Sequence, residues 1–312
     1  MSKILSALLS SPKKKEGFEI DIWNSKNHSN ITQLMKVMKT KPRDTSHSSY
    51  RVDKPNLFYM EFDGDIQASE SQRLKQEIMT CLQVAKTGDV FMIMIDSSGG
   101  SVSHYGDLYS VMEIIKKKGF ELWISIDKVA ASGGYLISLP ADIIFSTPFA
   151  MIGSIGVLSE VPNFEGLLDK YGVKMEEYTA GERKMNISMF RSNGEEQKEY
   201  HKKKLEKIHE LFKTQLTKYR GNKIREKNTN IEELVEGDVW MGSMALSLGL
   251  VDQLKSSVEI LLDNKDNFNI LKINYYIDKD DKGILNMLKP KMKLNQYKLN
   301  QIISFIMNKI SK

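Results

Sequence analysis

An alternation of apolar and amphipathic segments between residues 57 and 146 constrains the fold more than any other feature of this sequence. The apolar segments are residues 57–62, 90–95, 122–126 and 143–146, and the amphipathic segments between them include residues 71–85 and 105–117. Strands buried on both faces are apolar throughout, and helices connect such strands when the strands are parallel. The pattern therefore predicts an α/β fold with a parallel sheet built from βαβ units.

The chain is expected to have three parts. Residues 1–55 are polar and basic, and we expect them to form a poorly ordered leader. Residues 56–255 are predicted to form the main domain, and residues 256–312 a C-terminal extension with a basic amphipathic helix. Further elements predicted within the main domain are a helix at 163–171, a strand at 174–178 and a helix at 195–219.

The composition excludes several classes of protein. A formal net charge of +5 on 312 residues does not indicate a nucleic-acid partner. The single cysteine, Cys81, excludes an intrachain disulfide and a thiolate metal cluster, and the five histidines form no close ligand cluster in the sequence. No metal and no other cofactor is therefore expected. No segment approaches the roughly 20 apolar residues of a transmembrane helix.

Ser132 stands among small residues, in D-K-V-A-A-S-G-G-Y, where a strand is expected to end and a helix to begin. Gly99 and Gly100 directly follow the predicted strand at 90–95. Because the carboxyl ends of parallel strands lie side by side, both segments are expected to line one crevice. Amides of Gly99 or Gly100 and of Gly133 then converge on one carbonyl oxygen. Ser132 itself is either a nucleophile or a helix N-cap.

A nucleophilic serine needs a base, and the residues alone leave the base open. His104 is the only histidine in this part of the chain, four residues past the glycine pair. Lys184 lies in a turn-like stretch, T-A-G-E-R-K-M. A lysine acts as a base only when it is neutral, and burial disfavours the ammonium form.

Five motifs follow one another along the chain. They are D-K-V-A-A-S-G-G-Y at 127–135, P-F-A-M-I-G-S-I-G-V at 148–157, P-N-F at 162–164, T-A-G-E-R-K at 179–184 and W-M-G-S-M-A-L-S-L-G-L-V-D at 240–252. In this order they resemble the signal peptide peptidases of the SppA/SohB type, and the SohB branch in particular. The resemblance covers residues 57–255 and implies a ClpP/crotonase-like peptidase domain.

The resemblance implies a role for five residues. Ser132 matches the nucleophile of a Ser/Lys dyad, Lys184 matches its general base, and Ser154 matches the serine that orients the lysine. Gly99 and Gly100 match the glycines on the oxyanion side. We therefore expect a serine-type peptidase.

One residue of the glycine turn departs from the family pattern. Ser98 replaces the proline that usually precedes the glycine pair. Loss of the fixed proline φ is expected to loosen the turn, at a cost of about 0.4–1 kcal/mol through the unfolded state. Activity is expected to remain.

The resemblance further implies substrates, partners and a location. The substrates are remnant signal peptides or other apolar peptides near the membrane, and the active form is a homo-oligomeric ring. The location is the bacterial inner membrane, with a periplasm-facing site as one option. Relatives of the SohB type begin with a membrane span and this chain shows none, so truncation and a different mode of attachment both stay open.

Two alternatives come from other classes of protein. A crotonase-like enzyme that acts on acyl thioesters has similar paired oxyanion amides but no use for Ser132 and Lys184 together. A proteolytically inactive, membrane-associated scaffold uses only the surfaces of the fold. The basic C-terminal helix either lies on an anionic membrane surface or packs on the body of the protein or on a second subunit.

Overall fold

The structure is a computed structural model of the chain. It describes residues 16–22, 51, 53–181, 184 and 187–277. The chain divides into two compact units, and the larger one, Glu19–Tyr275, is the body of the protein. The smaller unit comprises Met1–Phe18 and Tyr276–Lys312, so the predicted basic C-terminal helix lies outside the described residues.

A mostly parallel sheet forms the centre of the body. The strands are β1 (Glu16–Ile22), β2 (Asn56–Gly64), β3 (Val90–Ser97), β4 (Glu121–Ile126), β5 (Val129–Ala131), β6 (Ile143–Ser146), β7 (Met151–Gly153), β8 (Val239–Met241), β9 (Gln253–Leu254) and β10 (Asn269–Ile277). Parallel neighbours follow the order β10-β2-β3-β4-β6-β9. A side branch also leaves β3: β5 pairs with β3 and β7 in parallel, and β8 pairs with β7 antiparallel.

Helices connect the strands and cover the sheet. They are α1 (Ser71–Val84), α2 (Val102–Lys117), α3 (Gly133–Ser138), α4 (Glu165–Lys170), α5 (Glu195–Glu226), α6 (Ile231–Leu234), α7 (Gly242–Ser247) and α8 (Ser257–Asn264). α1 links β2 to β3 and α2 links β3 to β4, and both strand pairs are parallel. The predicted α/β fold with βαβ units is therefore confirmed.

One predicted element is wrong. The strand predicted at 174–178 does not form, because residues 173–180 have no regular structure and are exposed. A short segment becomes a strand only where a neighbouring strand supplies its hydrogen bonds.

Other elements extend beyond their predicted limits. α5 continues to Glu226 instead of ending at residue 219. β10 pairs with β2, so the sheet continues past the predicted domain end at residue 255. β1 lies inside the predicted leader and is a strand, which the polar composition of that region did not indicate.

Both faces of the sheet are buried. In β2, Phe58, Met60 and Phe62 belong to the larger apolar cluster, and Leu57 and Tyr59 belong to a second cluster on the other face. Successive side chains of a strand point to opposite faces, so burial on both sides requires an apolar residue at every position. This requirement explains the uninterrupted apolar runs from which the strands were predicted.

Arg220 joins the C-terminal half of α5 to the body. Its side chain is only 1% exposed. The guanidinium donates to Asp252 at 2.8 and 3.1 Å and to the Gly249 carbonyl at 2.7 and 3.0 Å. Asp252 also accepts from Lys223 at 2.5 Å and from the Ile144 amide at 2.8 Å. Burial opposes ionisation, yet the hydrogen bonds and charges of these cations hold the Asp252 pKa below its usual value.

We expect Asp252→Ala to lower the free energy of unfolding by about 3–5 kcal/mol, because it leaves the buried Arg220 charge without its partner. The wild-type contribution is present above the usual carboxyl pKa and is lost as pH falls through the lowered folded-state pKa. Urea unfolding at pH 7 measures the change. Glu195→Ala, which breaks an exposed pair with Lys198, is the control and is expected to have little effect. Equal unfolding free energies for Asp252→Ala and the parent would contradict this account.

Candidate active site

Ser132 occupies a strained backbone position between β5 and α3. Its φ is 50° and its ψ is −119°, in a region that L-residues rarely adopt. The Ser132 N–H donates to the Gly153 carbonyl at 2.7 Å, which fixes this residue against the end of β7. Ser132 is the N-cap residue of α3, but its hydroxyl accepts no capping hydrogen bond from the helix. Such strain costs about 1–3 kcal/mol and is typical of functional positions.

The small residues around Ser132 allow two turns to touch. Gly99 has a φ of +89°, and a Cβ there would lie 2.6 Å from the Gly133 nitrogen and 2.9 Å from the Ser132 Cβ. A Cβ on Gly133 would lie 2.6 Å from the ring of Tyr105, and one on Gly134 would lie 2.5 Å from a backbone oxygen. The turns after β3 and β5 therefore share one crevice only because these positions are glycines.

The backbone N–H groups near Ser132 differ in whether they already donate a hydrogen bond. The Gly133 N–H is at the first position of α3, where a helix provides no acceptor of its own. The Gly99 N–H donates to the Ser97 hydroxyl at 3.1 Å. Gly100 packs against Ile66, whose carbonyl oxygen would lie 2.2 Å from an added Cβ. The geometry thus favours the Gly133 N–H as an oxyanion donor, and the Gly99 N–H already has an acceptor.

A buried hydrogen-bond network supports the Gly99 turn. The Ser97 and Tyr105 hydroxyls lie 2.6 Å apart, the Gly64 carbonyl oxygen lies 3.0 Å from the Ser97 hydroxyl, and the Asp65 carbonyl oxygen lies 2.8 Å from the Tyr105 hydroxyl. The two hydroxyl protons are shared among these three contacts. Burial raises the pKa of Tyr105, which keeps its phenol protonated as a donor. Ser97 and Tyr105 were not predicted to be site residues, and no sequence motif marks them.

Ser154 occupies the position after β7 that corresponds to Ser132 after β5. Ala131 and Gly153 are partners in the parallel register, so the two serines follow paired strand ends. Ser154 also has a positive φ, 49°, and its N–H donates to the Asp238 carbonyl at 2.6 Å. The structure therefore brings the backbones of these two predicted site residues together.

Lys184 lies elsewhere in the chain. It is exposed, has no regular secondary structure, and donates its N–H to the Gly181 carbonyl at 3.0 Å. It is not among the residues that line the cavity at Ser132. His104, the other base considered, is exposed on α2 and does not line that cavity either. Within one chain, therefore, the cavity at Ser132 is lined by neither of the two candidate bases.

A cavity of about 750 Å³ opens beside Ser132. Its apolar lining consists mainly of side chains from α3, α5 and the segment after β7: Leu136, Val157, Leu158, Ile208, Leu211 and Phe212. Polar atoms come from the two glycine-rich turns and from Tyr109 and Gln215. Such a cavity suits an extended peptide with apolar side chains. Among the described residues, no group of metal-ligating side chains comes together.

Glu113 connects α2 and α5, which both contribute residues to the cavity wall. Its carboxylate accepts from Lys218 at 2.6 Å and Tyr219 at 2.7 Å on α5, and from Tyr109 at 3.0 Å on α2. These hydrogen bonds, with that of Lys218 the largest, lower the pKa of Glu113 to about 2. The carboxylate therefore stays ionised at neutral pH and holds α5 against α2.

Two protein-family models together match nearly all of the described body. The model of peptidase family S49 matches residues 114–270, and the model of the peptidase family S49 N-terminal region matches residues 14–109. The chain belongs to peptidase family S49. This membership confirms the resemblance found in the motifs and the ClpP/crotonase-like fold class that the resemblance implied.

Individual relatives agree with this assignment. "Probable protease SohB" of Buchnera aphidicola subsp. Acyrthosiphon pisum is 38% identical over 72% of this chain and 65% of its own length. The protein of the same name from Haemophilus influenzae is 37% identical over 72% of this chain and 62% of its own length. "Putative signal peptide peptidase SppA" of Enterococcus faecium is 32% identical over 54% of this chain and 48% of its own. The chain thus matches less than two thirds of the length of each of these relatives.

One solved structure can be compared as well. A ClpP1 mutant from Listeria monocytogenes matches 65% of this chain and 92% of its own, with 16% identity and a TM-score of 0.40.

Gly99→Ala is expected to lower kcat on the order of 100-fold, because its Cβ would displace the Gly133 amide from its position beside Ser132. Gly119→Ala is the matched control. Gly119 has a similar φ of +82°, but an added Cβ there has no neighbour within 4 Å. Gly119→Ala is expected to lose about 1–2 kcal/mol of stability through backbone strain, and Gly99→Ala more, because its Cβ also overlaps backbone atoms. Steady-state kinetics and urea unfolding separate the two effects. Equal kcat values for the two variants would show that close approach at Gly99 is not needed for activity.

Proposed function

We propose that this chain is a serine endopeptidase with a Ser/Lys dyad that hydrolyses apolar peptides, including remnant signal peptides. The observation that carries the proposal is the position of Ser132. It has a strained backbone, lies at the edge of an apolar cavity and adjoins the free amide at the start of α3. A crevice with these properties suits acyl transfer from a peptide carbonyl to a serine.

The reaction follows the general course of a serine peptidase. The Ser132 Oγ attacks the scissile carbonyl carbon, and the neutral amine of Lys184 takes the hydroxyl proton. The Gly133 N–H, together with the Gly100 N–H, or with the Gly99 N–H once it has left the Ser97 hydroxyl, donates to the negatively charged oxygen of the tetrahedral intermediate. The lysine then returns the proton to the leaving amine. Water attacks the acyl-enzyme with the same lysine as base, which releases the second product and frees Ser132.

Ser154 is the proposed positioning residue for the lysine. It follows the strand that is paired with the strand before Ser132, so a lysine directed at Ser132 passes near its hydroxyl. A hydrogen bond from the lysine amine to a neutral hydroxyl fixes its direction without adding charge.

The proposed active form is a homo-oligomeric ring in which the lysine comes from a neighbouring protomer. Lys184 is exposed and lies outside the lining of its own chain's cavity, which supports this arrangement. The segment around it also exposes large apolar side chains, including Leu167 at 55%, Met175 at 50% and Tyr178 at 88%. Exposed apolar groups of this kind are typical of protein–protein contact.

The proposed location is the bacterial inner membrane. An apolar cavity fits the hydrophobic segment of a signal peptide, which is released at a membrane. Within the described part of the chain, no helix combines the length and the apolar character needed to cross a bilayer. The basic amphipathic helix predicted within residues 256–312 is the proposed site of attachment, on an anionic membrane surface.

Labelling with a serine-directed phosphonate is expected to place one adduct on Ser132, which mass spectrometry identifies. Lys184→Arg is expected to be inactive, because the proposed base has to accept a proton and a guanidinium keeps its own. Absence of an adduct would favour the acyl-thioester alternative. A fully functional Ser132→Ala variant in cells would favour the scaffold alternative.

Mixing two inactive variants tests the shared site. Ser132→Ala and Lys184→Ala are each expected to be inactive, and a mixture with subunit exchange is expected to recover part of the activity. Recovery occurs because some interfaces then combine an intact serine with an intact lysine. Gel filtration with differently tagged subunits checks that mixed rings form. Mixed rings without activity would show that the dyad forms within one chain.

A further inference from the structure

Residues 157–193 form an arm between β7 and α5, and this arm contains Lys184. Apart from α4, the described part of the arm has no regular secondary structure. Most of its described side chains are exposed, so the arm has little apolar contact to hold its shape. Lys184 is nevertheless proposed to work at a defined distance from a serine. Some contact within the arm has to fix where the lysine is presented.

The two limbs of the arm meet at a group of residues that we call the clamp, formed by Asn163, Phe164, Phe190 and Arg191. The rings of Phe164 and Phe190 are stacked, with centroids 6.1 Å apart and an interplanar angle of 28°. The Phe164 N–H donates to the Met189 carbonyl at 2.7 Å. The Asn163 side-chain amide donates to the Arg191 carbonyl at 3.2 Å. The clamp therefore closes residues 165–188 into a loop.

Each limb also has its own internal contacts near the clamp. The Asn163 carboxamide oxygen accepts from the Glu165 N–H at 2.8 Å, which starts α4 directly at the clamp. On the other limb, Asn193 accepts from the Ser188 N–H at 2.7 Å and donates to the Ser188 carbonyl at 2.9 Å. A further contact joins the arm across Lys184, since Arg191 donates to Glu177 at 2.9 Å. The clamp is thus the meeting point of two ordered turns.

The first limb of the arm is part of the cavity wall. Val157 and Leu158 line the cavity at Ser132. The next residue, Ser159, forms a hydrogen bond of 2.9 Å with His201 on α5, which supplies another wall. The clamp therefore joins a limb fixed at one active-site cavity to the limb that follows Lys184.

We propose that the Phe164–Phe190 stack is a positioning element, which sets where the arm presents Lys184 relative to the cavity wall of its own chain. The inference rests on the proposed Ser/Lys dyad. A closed loop has fewer conformations than two free limbs, so the stack lowers the entropy that must be lost when the lysine reaches its serine. The proposal also gives a role to the P-N-F segment at 162–164, which takes no part in the proposed catalytic steps.

Kinetics of single and double variants test the stack. Phe190→Ala and Phe164→Ala are each expected to lower kcat by roughly 10–100-fold, because small displacements of a catalytic group have effects of this size. KM is expected to change less than about twofold, since neither ring lines the cavity. The double variant is expected to lose no more than the worse single variant, because both remove one contact. Phe190→Tyr, which keeps the stack, is expected to restore kcat.

Tyr171→Ala is the matched control. Tyr171 lies in the same arm and is 74% exposed, so the variant also removes an aromatic ring but leaves the clamp intact. Its kcat is expected to equal that of the parent. Gel filtration of each variant checks that assembly is unchanged. Equal kcat losses in Tyr171→Ala and Phe190→Ala, or additive losses in the double variant, would overturn the proposal.

A spin label on the arm gives a readout that does not depend on activity. Cys81 is buried, and burial raises its pKa to about 12, so a thiol reagent modifies Lys184→Cys selectively. The label is expected to be more mobile when Phe190→Ala is added and unchanged when Tyr171→Ala is added. If Phe190→Ala changes neither the mobility of the label nor kcat while Ser132→Ala is inactive, the positioning role of the clamp is refuted and the proposed Ser/Lys dyad is not. An active Ser132→Ala would instead refute the proposed function, whatever the label shows.

Discussion

The close approach of two turns, at Gly99 and Gly133, is the contact on which the candidate site depends. β3 and β5 pair through Ser97 and Ala130, and the chain turns away immediately after each strand. No Cβ fits between these turns, and both turns, with Ser132, line the same cavity. The Ser97–Tyr105 network then fixes one turn, and the bond from Ser132 to Gly153 fixes the other.

The apolar parallel strands between residues 56 and 146 could be predicted from the sequence, whereas the three-residue strands and β10 could not. β3 and β4 were predicted to within two residues of their observed ends, and β6 with its observed ends, because a strand buried on both faces is apolar throughout. β5, β7 and β8 have three residues each, too few to show a period. The strand predicted at 174–178 failed for the opposite reason. Its residues tolerate a strand locally, but the fold supplies no neighbouring strand there.

The candidate site was predictable to different degrees. The small residues around Ser132 indicated a crevice, because only a close contact requires so many of them in one segment. Ser97 and Tyr105 were not predictable as supports, since their partners Gly64 and Asp65 lie on another strand and its following turn. Lys184 could not be assigned from the residues alone. A lysine in an exposed turn is common in any soluble protein, and only the order of the motifs singled it out.

The anchoring of α5 has a consequence for the wall of the cavity. The helix has 32 residues, about 48 Å, but its buried residues begin only at Phe212. Arg220 and Glu113 fix its C-terminal half to the body, whereas its N-terminal half has no fully buried residue and contacts Ser159 through His201. Ile208 and Leu211 of the cavity wall lie just before the buried stretch begins. This part of the wall is therefore held less firmly than Ser132, which strand pairing and the hydrogen bond to Gly153 fix in place.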